Sequence, residues 1–176
     1  TETRTKFNAD GDELGWTTTR SEVIGECESS VLRETQYEEW NGRNTIVRDA
    51  TYWRDTGHRA RNGRLKLMTA NDRPWEYHEW DEYGRETLRV EQRNASPVPL
   101  IFPTVTTNGL ANVSGLSDVF LTTYDYTPLA GDDAATNDHS RVRCETRYVV
   151  ENGTAKMIGR TWHRFTHGRD GGNETM

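Results

Sequence analysis

The chain has 176 residues, enough for one medium domain or a few stacked repeat units. Leu, Ile, Val and Phe together number 29, below the roughly 20% line typical of ordered globules, yet six Trp, seven Tyr and a net charge of only −6 argue against a disordered chain. A pI of about 5.4 with interleaved acids and bases argues against nucleic-acid binding, and no apolar run long enough to cross a membrane is present.

What remains is a thin, aromatic core spread over much polar surface. Lys6, Lys66 and Lys156 are the only lysines, so 19 of the 22 basic residues are Arg. Arg stacks on rings and forks onto carboxylates, which suits side-chain ladders across a sheet. Short stretches of Thr, Tyr, Trp, Val and Arg, punctuated by Gly or Asn-Gly, predict strands and hairpins throughout; no stretch carries a capped helical stripe.

In chain order, Phe7-Asn8-Ala9-Asp10-Gly11-Asp12 with Leu14 and Trp16 reads as strand, turn and strand. Tyr37 to Trp40, Asn41-Gly42, Thr45 to Arg48 and Thr51-Tyr52-Trp53 repeat that grammar. The clearest unit covers 62–93. It opens on Asn62-Gly63, a type I′ turn signal, and continues through a strand at 64–69 with Leu65 and Leu67 on one face. A polar turn at 71–74, a strand at 75–80, a Gly-centred turn at 81–85 and a strand at 86–91 follow.

Between 95 and 122, Pro97, Pro99 and Pro103 remove ladder donors around an apolar Leu100-Ile101-Phe102 run, predicting a loop or insertion. A second polar loop is expected at 129–140. Arg147 to Glu151 and Thr154 to Trp162, joined through Asn152-Gly153, form the strongest hairpin signal. The expected fold is all-β, with stacked antiparallel β-hairpins forming a segment of an extended or curved sheet. Its divisions are a hairpin block at 1–94, the loop or insertion at 95–122, a second block at 123–166 and a flexible tail at 167–176.

Trp80-Asp81-Glu82-Tyr83-Gly84-Arg85 resembles the hallmark of the RHS/YD-repeat family: an aromatic residue, Asp, two variable residues, then Gly-Arg. Trp stands where the family usually has Tyr. The preceding Gly-Arg-Leu and Trp-Glu-Tyr strands follow the family's order, and Tyr124-Asp125 with the Asn152-Gly153 hairpin also resembles bacterial RHS-like proteins. The likeness covers 62–93 and 123–165 and fits 1–60 only loosely. It implies hairpins winding into a spiral sheet that closes into a hollow shell in a large exported or cell-surface protein. The implied partners are neighbouring repeats of the same parent chain, an enclosed C-terminal domain, or a surface glycan. The roles expected for Trp80, Asp81, Gly84, Arg85, Asn152 and Gly153 are structural: turn capping, left-handed backbone and cross-hairpin stacking. Starting and ending mid-pattern without a leader, the chain reads as a segment of a longer protein.

Sharper chemistry finds little support. His163 and His167 are four apart but sit on a strand and tail with no third ligand, so no metal site is expected. Asn8, Asp10 and Asp12 read as a turn, because Gly11 falls too early for a calcium loop. Glu38-Glu39, Glu79 with Asp81, and Asp132-Asp133 read as solvated acids or Arg partners, since adjacent carboxylates on a strand face opposite ways. No nucleophile elbow, P-loop or dinucleotide fingerprint occurs. No catalytic residue and no cofactor is therefore expected, a small hydrolase remaining a distant alternative. Cys27 and Cys144 read as buried thiols, with a disulfide the alternative in an exported parent. The sequons at Asn94, Asn112, Asn152 and Asn173 matter only in a eukaryotic secretory setting. The main rival function is a carbohydrate-binding module stacking sugars on Trp75, Tyr77, Trp80 and Trp162; the favoured reading of these rings is the thin core itself and its inter-strand ladders.

Overall fold

The computed structural model describes residues 1–7, 9–11, 13–24, 31–40, 43–54, 57–106, 109–128 and 141–164. Among them no helix occurs. The strands are β1 (Glu2–Phe7), β2 (Glu13–Ile24), β3 (Val31–Trp40), β4 (Arg43–Trp53), β5 (Leu65–Ala70), β6 (Glu76–Trp80), β7 (Glu86–Gln92), β8 (Thr104–Thr106), β9 (Gly109–Ala111), β10 (Val119–Asp125), β11 (Cys144–Glu151) and β12 (Thr154–Trp162). Ten of them form one antiparallel sheet in the order β1-β2-β3-β4-β5-β6-β7-β10-β11-β12; β8 and β9 make a separate two-stranded sheet. The sheet is not closed into a barrel, so β1 and β12 are its edges. The all-β, hairpin-built sheet expected from the β-branched and aromatic runs is thus the observed architecture. Of its nine pairings, five carry a register shift, and such bulges increase local twist.

Asn152 and Gly153 both take positive φ, 48° and 73°, and join β11 to β12 by a two-residue loop between Glu151 and Thr154. That is the type I′ geometry the pair predicts. Asn62-Gly63 departs from it. Gly63 alone is left-handed (φ 76°), and tight turns stack from His58 onward, Arg61 N donating to His58 O at 3.0 Å and Asn62 N to Arg59 O at 3.3 Å. The strand pair is closed one residue further out, by Gly63 N to Trp53 O and Trp53 N to Arg64 O, both 2.8 Å.

β7 pairs directly with β10, Val90 opposite Leu121, so the sheet runs unbroken past the 95–122 segment. That segment contains β8, β9 and the start of β10, and up to residue 118 it lies over one face as a cover. Tyr77, Val90, Leu121 and Tyr148 stand opposite one another across four strands and present that face. Trp75, Tyr77, Leu88, Val90, Val119, Leu121 and Val150 are buried there, closed from above by Leu116 and packed against Phe102, Leu110 and Val113. The cover is pinned at its start: Trp75 Nε1 and Gln92 Nε2 each donate to Ser96 O at 2.8 Å, and Ser96 Oγ donates to Asp118 O at 3.0 Å. At its end, Gly153 N donates to Leu116 O at 2.8 Å. A Cβ on Gly153 would stand 2.6 Å from Ser114 O, so the glycine serves both its own turn and the docking of the cover. Prolines within the cover leave Leu100 and Ile101 projecting into solvent.

Cys144 is buried as a free thiol, its Sγ 3.6 Å from Thr146 Oγ1; Cys27 lies outside the described residues. So do Asn8, Asp12, Asp132, Asp133, His167 and the expected tail at 167–176.

Candidate functional site

The hexapeptide at 80–85 builds the turn between β6 and β7. Asp81 Oδ1 accepts from Tyr83 N (2.9 Å) and Arg85 N (3.0 Å), while Asp81 N donates to Arg85 O at 2.9 Å. The second oxygen, Oδ2, accepts from Arg85 Nε at 2.6 Å. Gly84 has φ 75°, and a Cβ there would lie 2.3 Å from Ala60 O, so conformation and space both require glycine. Arg85 stacks at 4.9 Å from the Tyr83 ring and 4.5 Å from that of Tyr126. Tyr126 in turn donates its hydroxyl to Glu86 O at 2.9 Å; burial, with the charges of Glu86 and Asp81, pushes that hydroxyl up to about 12. Trp80 donates Nε1 to Leu65 O at 2.7 Å, and its ring lies 5.1 Å from the Arg64 guanidinium.

The four rings proposed as a sugar platform are not brought together. Trp75 and Tyr77 are 4% and 3% exposed, and Tyr77 stacks on Phe102 with centroids 3.8 Å apart. Both belong to the buried cluster on the face that the cover occupies. Trp80 is half-buried under Arg64, and Trp162 alone is well exposed, at the edge strand. The paired acids are also committed. Glu79 accepts from the Tyr77 hydroxyl and lies 3.3 Å from Arg61, and Asp81 holds Arg85.

Sequence reading missed one network on the opposite sheet face. His78, 6% exposed, hydrogen-bonds Glu86 through Nδ1, and its Nε2 lies 3.6 Å from Glu76 Oε2. Arg89 forks onto the same Glu86 at 3.1 and 2.9 Å. Burial alone would raise the Glu86 carboxyl, but the hydrogen bonds from His78 and Arg89 outweigh it and hold the group below its usual range. The pairing depends on the register shift between Glu79 and Trp80, which turns Glu86 towards His78. The spacing of the residues along the chain carries no sign of that shift. Among the described residues, no group of three or more His, Cys, Asp or Glu is arranged to hold a metal ion.

Clefts open on the surface of the described residues. One, of about 520 Å³, lies between β8 and the ends of β7 and β10, with Asp81, Arg85, Thr106, Thr123, Asp125 and Tyr126 among its lining. Another, of about 410 Å³, lies over β3 and β4 beside the 71–73 turn, lined by Gln36, Glu38, Arg48, Asn71, Asp72 and Arg73.

The site geometry and topology define an antiparallel all-β protein, built on one large sheet and a small two-stranded one, whose conspicuous motif is a turn device. Comparison with family models, with curated proteins and with solved structures finds no match in any of the three. Among the described residues, no helix is long and apolar enough to cross a membrane.

Proposed function

We propose that this chain is a non-catalytic wall segment of an RHS/YD-like repeat protein, serving as scaffold or enclosing shell in an exported or surface-associated parent. The observation that carries the reading is the sheet order: ten strands follow the chain almost without crossover, each bonded only to its neighbours, and both outer strands have an open edge. Such a sheet is extended by adding hairpins, and its stability is a sum of nearest-neighbour terms. The device at Asp81, Gly84 and Arg85 supports it, because all three residues are consumed in shaping a turn. So does β12, a nine-residue edge with Met157, Ile158 and Trp162 each more than half exposed, apolar contacts suited to an adjoining hairpin.

The test is the reading frame from which the chain comes. Further aromatic-Asp-x-x-Gly-Arg copies at hairpin spacing on either side are expected, and protein carrying the adjoining hairpin should melt higher and associate less than these 176 residues alone. A frame consisting of these residues alone would sink the proposal.

A further inference from the structure

The cleft between β8 and the sheet is lined in an unusual way for a structural crevice. Thr87, Thr106, Thr123 and Thr127 bring four hydroxyls to it; Thr106 Oγ1 already donates to Gly109 O at 2.9 Å and is left as an acceptor. Asp81 and Asp125 add carboxylates against a single cation, Arg85, which is already forked onto Asp81 at 2.6 Å. The local balance of two acids to one base disfavours an anion, so phosphate esters and acidic sugars fit poorly. Its apolar surface is small: Val105 from the cover, 45% exposed, and the half-buried rings of Tyr124 and Tyr126, the latter carrying Arg85 over one face at 4.5 Å. A peptide's apolar anchors would find little to bury there. The walls come from different parts of the chain, the cover on one side and the 81–85 turn with the end of β10 on the other. The volume of about 520 Å³ lies within the usual range of small-molecule sites.

We propose that this cleft binds a neutral saccharide, with one pyranose face against Val105 and Tyr126 and its hydroxyls exchanging hydrogen bonds with Thr106, Thr123, Thr127 and Asp125. Dense neutral hydroxyls beside a small apolar strip match a sugar ring, which carries hydroxyls around its rim and C–H groups on its faces. The site is distinct from the buried rings Trp75 and Tyr77, and it does not rest on the wall reading: a sugar cleft stands or falls whether or not the sheet is extended by further hairpins.

The experiment is an amide chemical-shift titration of the 176-residue chain with glucose, galactose, mannose, N-acetylglucosamine and their β-linked dimers, with sodium glucuronate as the anionic control. The expected result is saturable binding of one or more neutral sugars with a Kd of about 1 mM, with shifts confined to the amides of 105–106, 123–127 and 81–87. Affinity should fall at least about tenfold in both Asp125→Ala and Thr106→Val, with near-UV circular dichroism unchanged. No saturation with any neutral sugar overturns the proposal. So do shifts that map elsewhere, undiminished binding in both variants, or glucuronate binding as tightly as the neutral sugars. If a variant loses its fold, the wild-type shift map decides alone.

Discussion

Strands β2–β4 and strands β7, β10 and β11 are built alike: long, antiparallel, rich in Thr, Val, Tyr and Arg, and hydrogen-bonded on both edges. They are buried very differently. Among the described residues of β2–β4 the buried positions are Thr17, Thr35 and Ala50, whereas Leu88, Val90, Val119, Leu121 and Val150 are at most 1% exposed. The cover accounts for the contrast. Within 95–118, Phe102, Leu110, Val113 and Leu116 lie over one half of the sheet; among the described residues the other half carries no such cover. There, Arg33 of β3 forks onto Asp49 of β4 at 2.9 and 2.5 Å, and Arg48 donates along β4 to the Tyr52 hydroxyl at 3.2 Å, contacts that stabilise modestly at a half-exposed surface. One chain thus shows a sheet with a core beside a sheet held by ladders.

The largest effect that would break this contrast is a core truncation. Leu121→Ala should cost about 2–5 kcal/mol, while Leu32→Ala in β3, only half-buried, should cost about 1 kcal/mol, read from urea midpoints. Native-state hydrogen exchange should agree, with amides of β7, β10 and β11 opening only on global unfolding and those of β1–β3 opening earlier. Equal costs, or uniform protection, would mean that the cover does not set the difference.

Next in size is the pair of turn glycines. Gly84→Ala meets both a left-handed backbone and the Ala60 carbonyl, so about 3 kcal/mol or more is expected. Gly11→Ala, with φ 87° but open space around it, should lose only about 1 kcal/mol. A smaller loss, about 1–3 kcal/mol at neutral pH, is expected for Glu86→Gln, which leaves His78 and Arg89 poorly matched. Because the Glu86 carboxyl is held below its usual value of 4.5, its contribution is present above that pH and disappears as pH falls through the depressed value. Wild type should therefore lose stability on acidification below about pH 4.5, and the Gln variant should show a shallower acid limb. The smallest change is on the uncovered half. Asp49→Asn should cost about 0.5 kcal/mol and should matter less at high salt, because the Arg33 side chain is 36% exposed.

Much of the fold was legible where local chemistry fixes geometry. Asn152-Gly153 specifies a type I′ turn through two positive φ values, and the Asp, Gly and Arg of 81–85 form a capped turn. Asn62-Gly63 carries the same dipeptide signal yet resolves differently, because the turns from His58 onward make a wider connection. The segment at 95–122 was read as loop because its prolines block a ladder. Nothing in that pattern shows that Phe102 will stack on Tyr77, or that Ser96 will accept the Trp75 indole proton.

The candidate sites were hidden for related reasons. Trp75, Tyr77, Trp80 and Trp162 are equally aromatic in the sequence, yet the first two are buried under the cover, Trp80 is half-buried and Trp162 is exposed. The cleft residues come from 81–87, 105–106 and 123–127, which no spacing rule connects. Strand periodicity and turn chemistry are short-range, so composition and residue order already set the hairpins, their two-residue turn and the all-β class. Which sheet face is dry, where Glu86 points and where a cleft opens depend on a crossing segment docked across strands far apart in the chain. Only the tertiary structure decided those, because long-range packing and a bulged register leave no periodic trace in the residues that produce them.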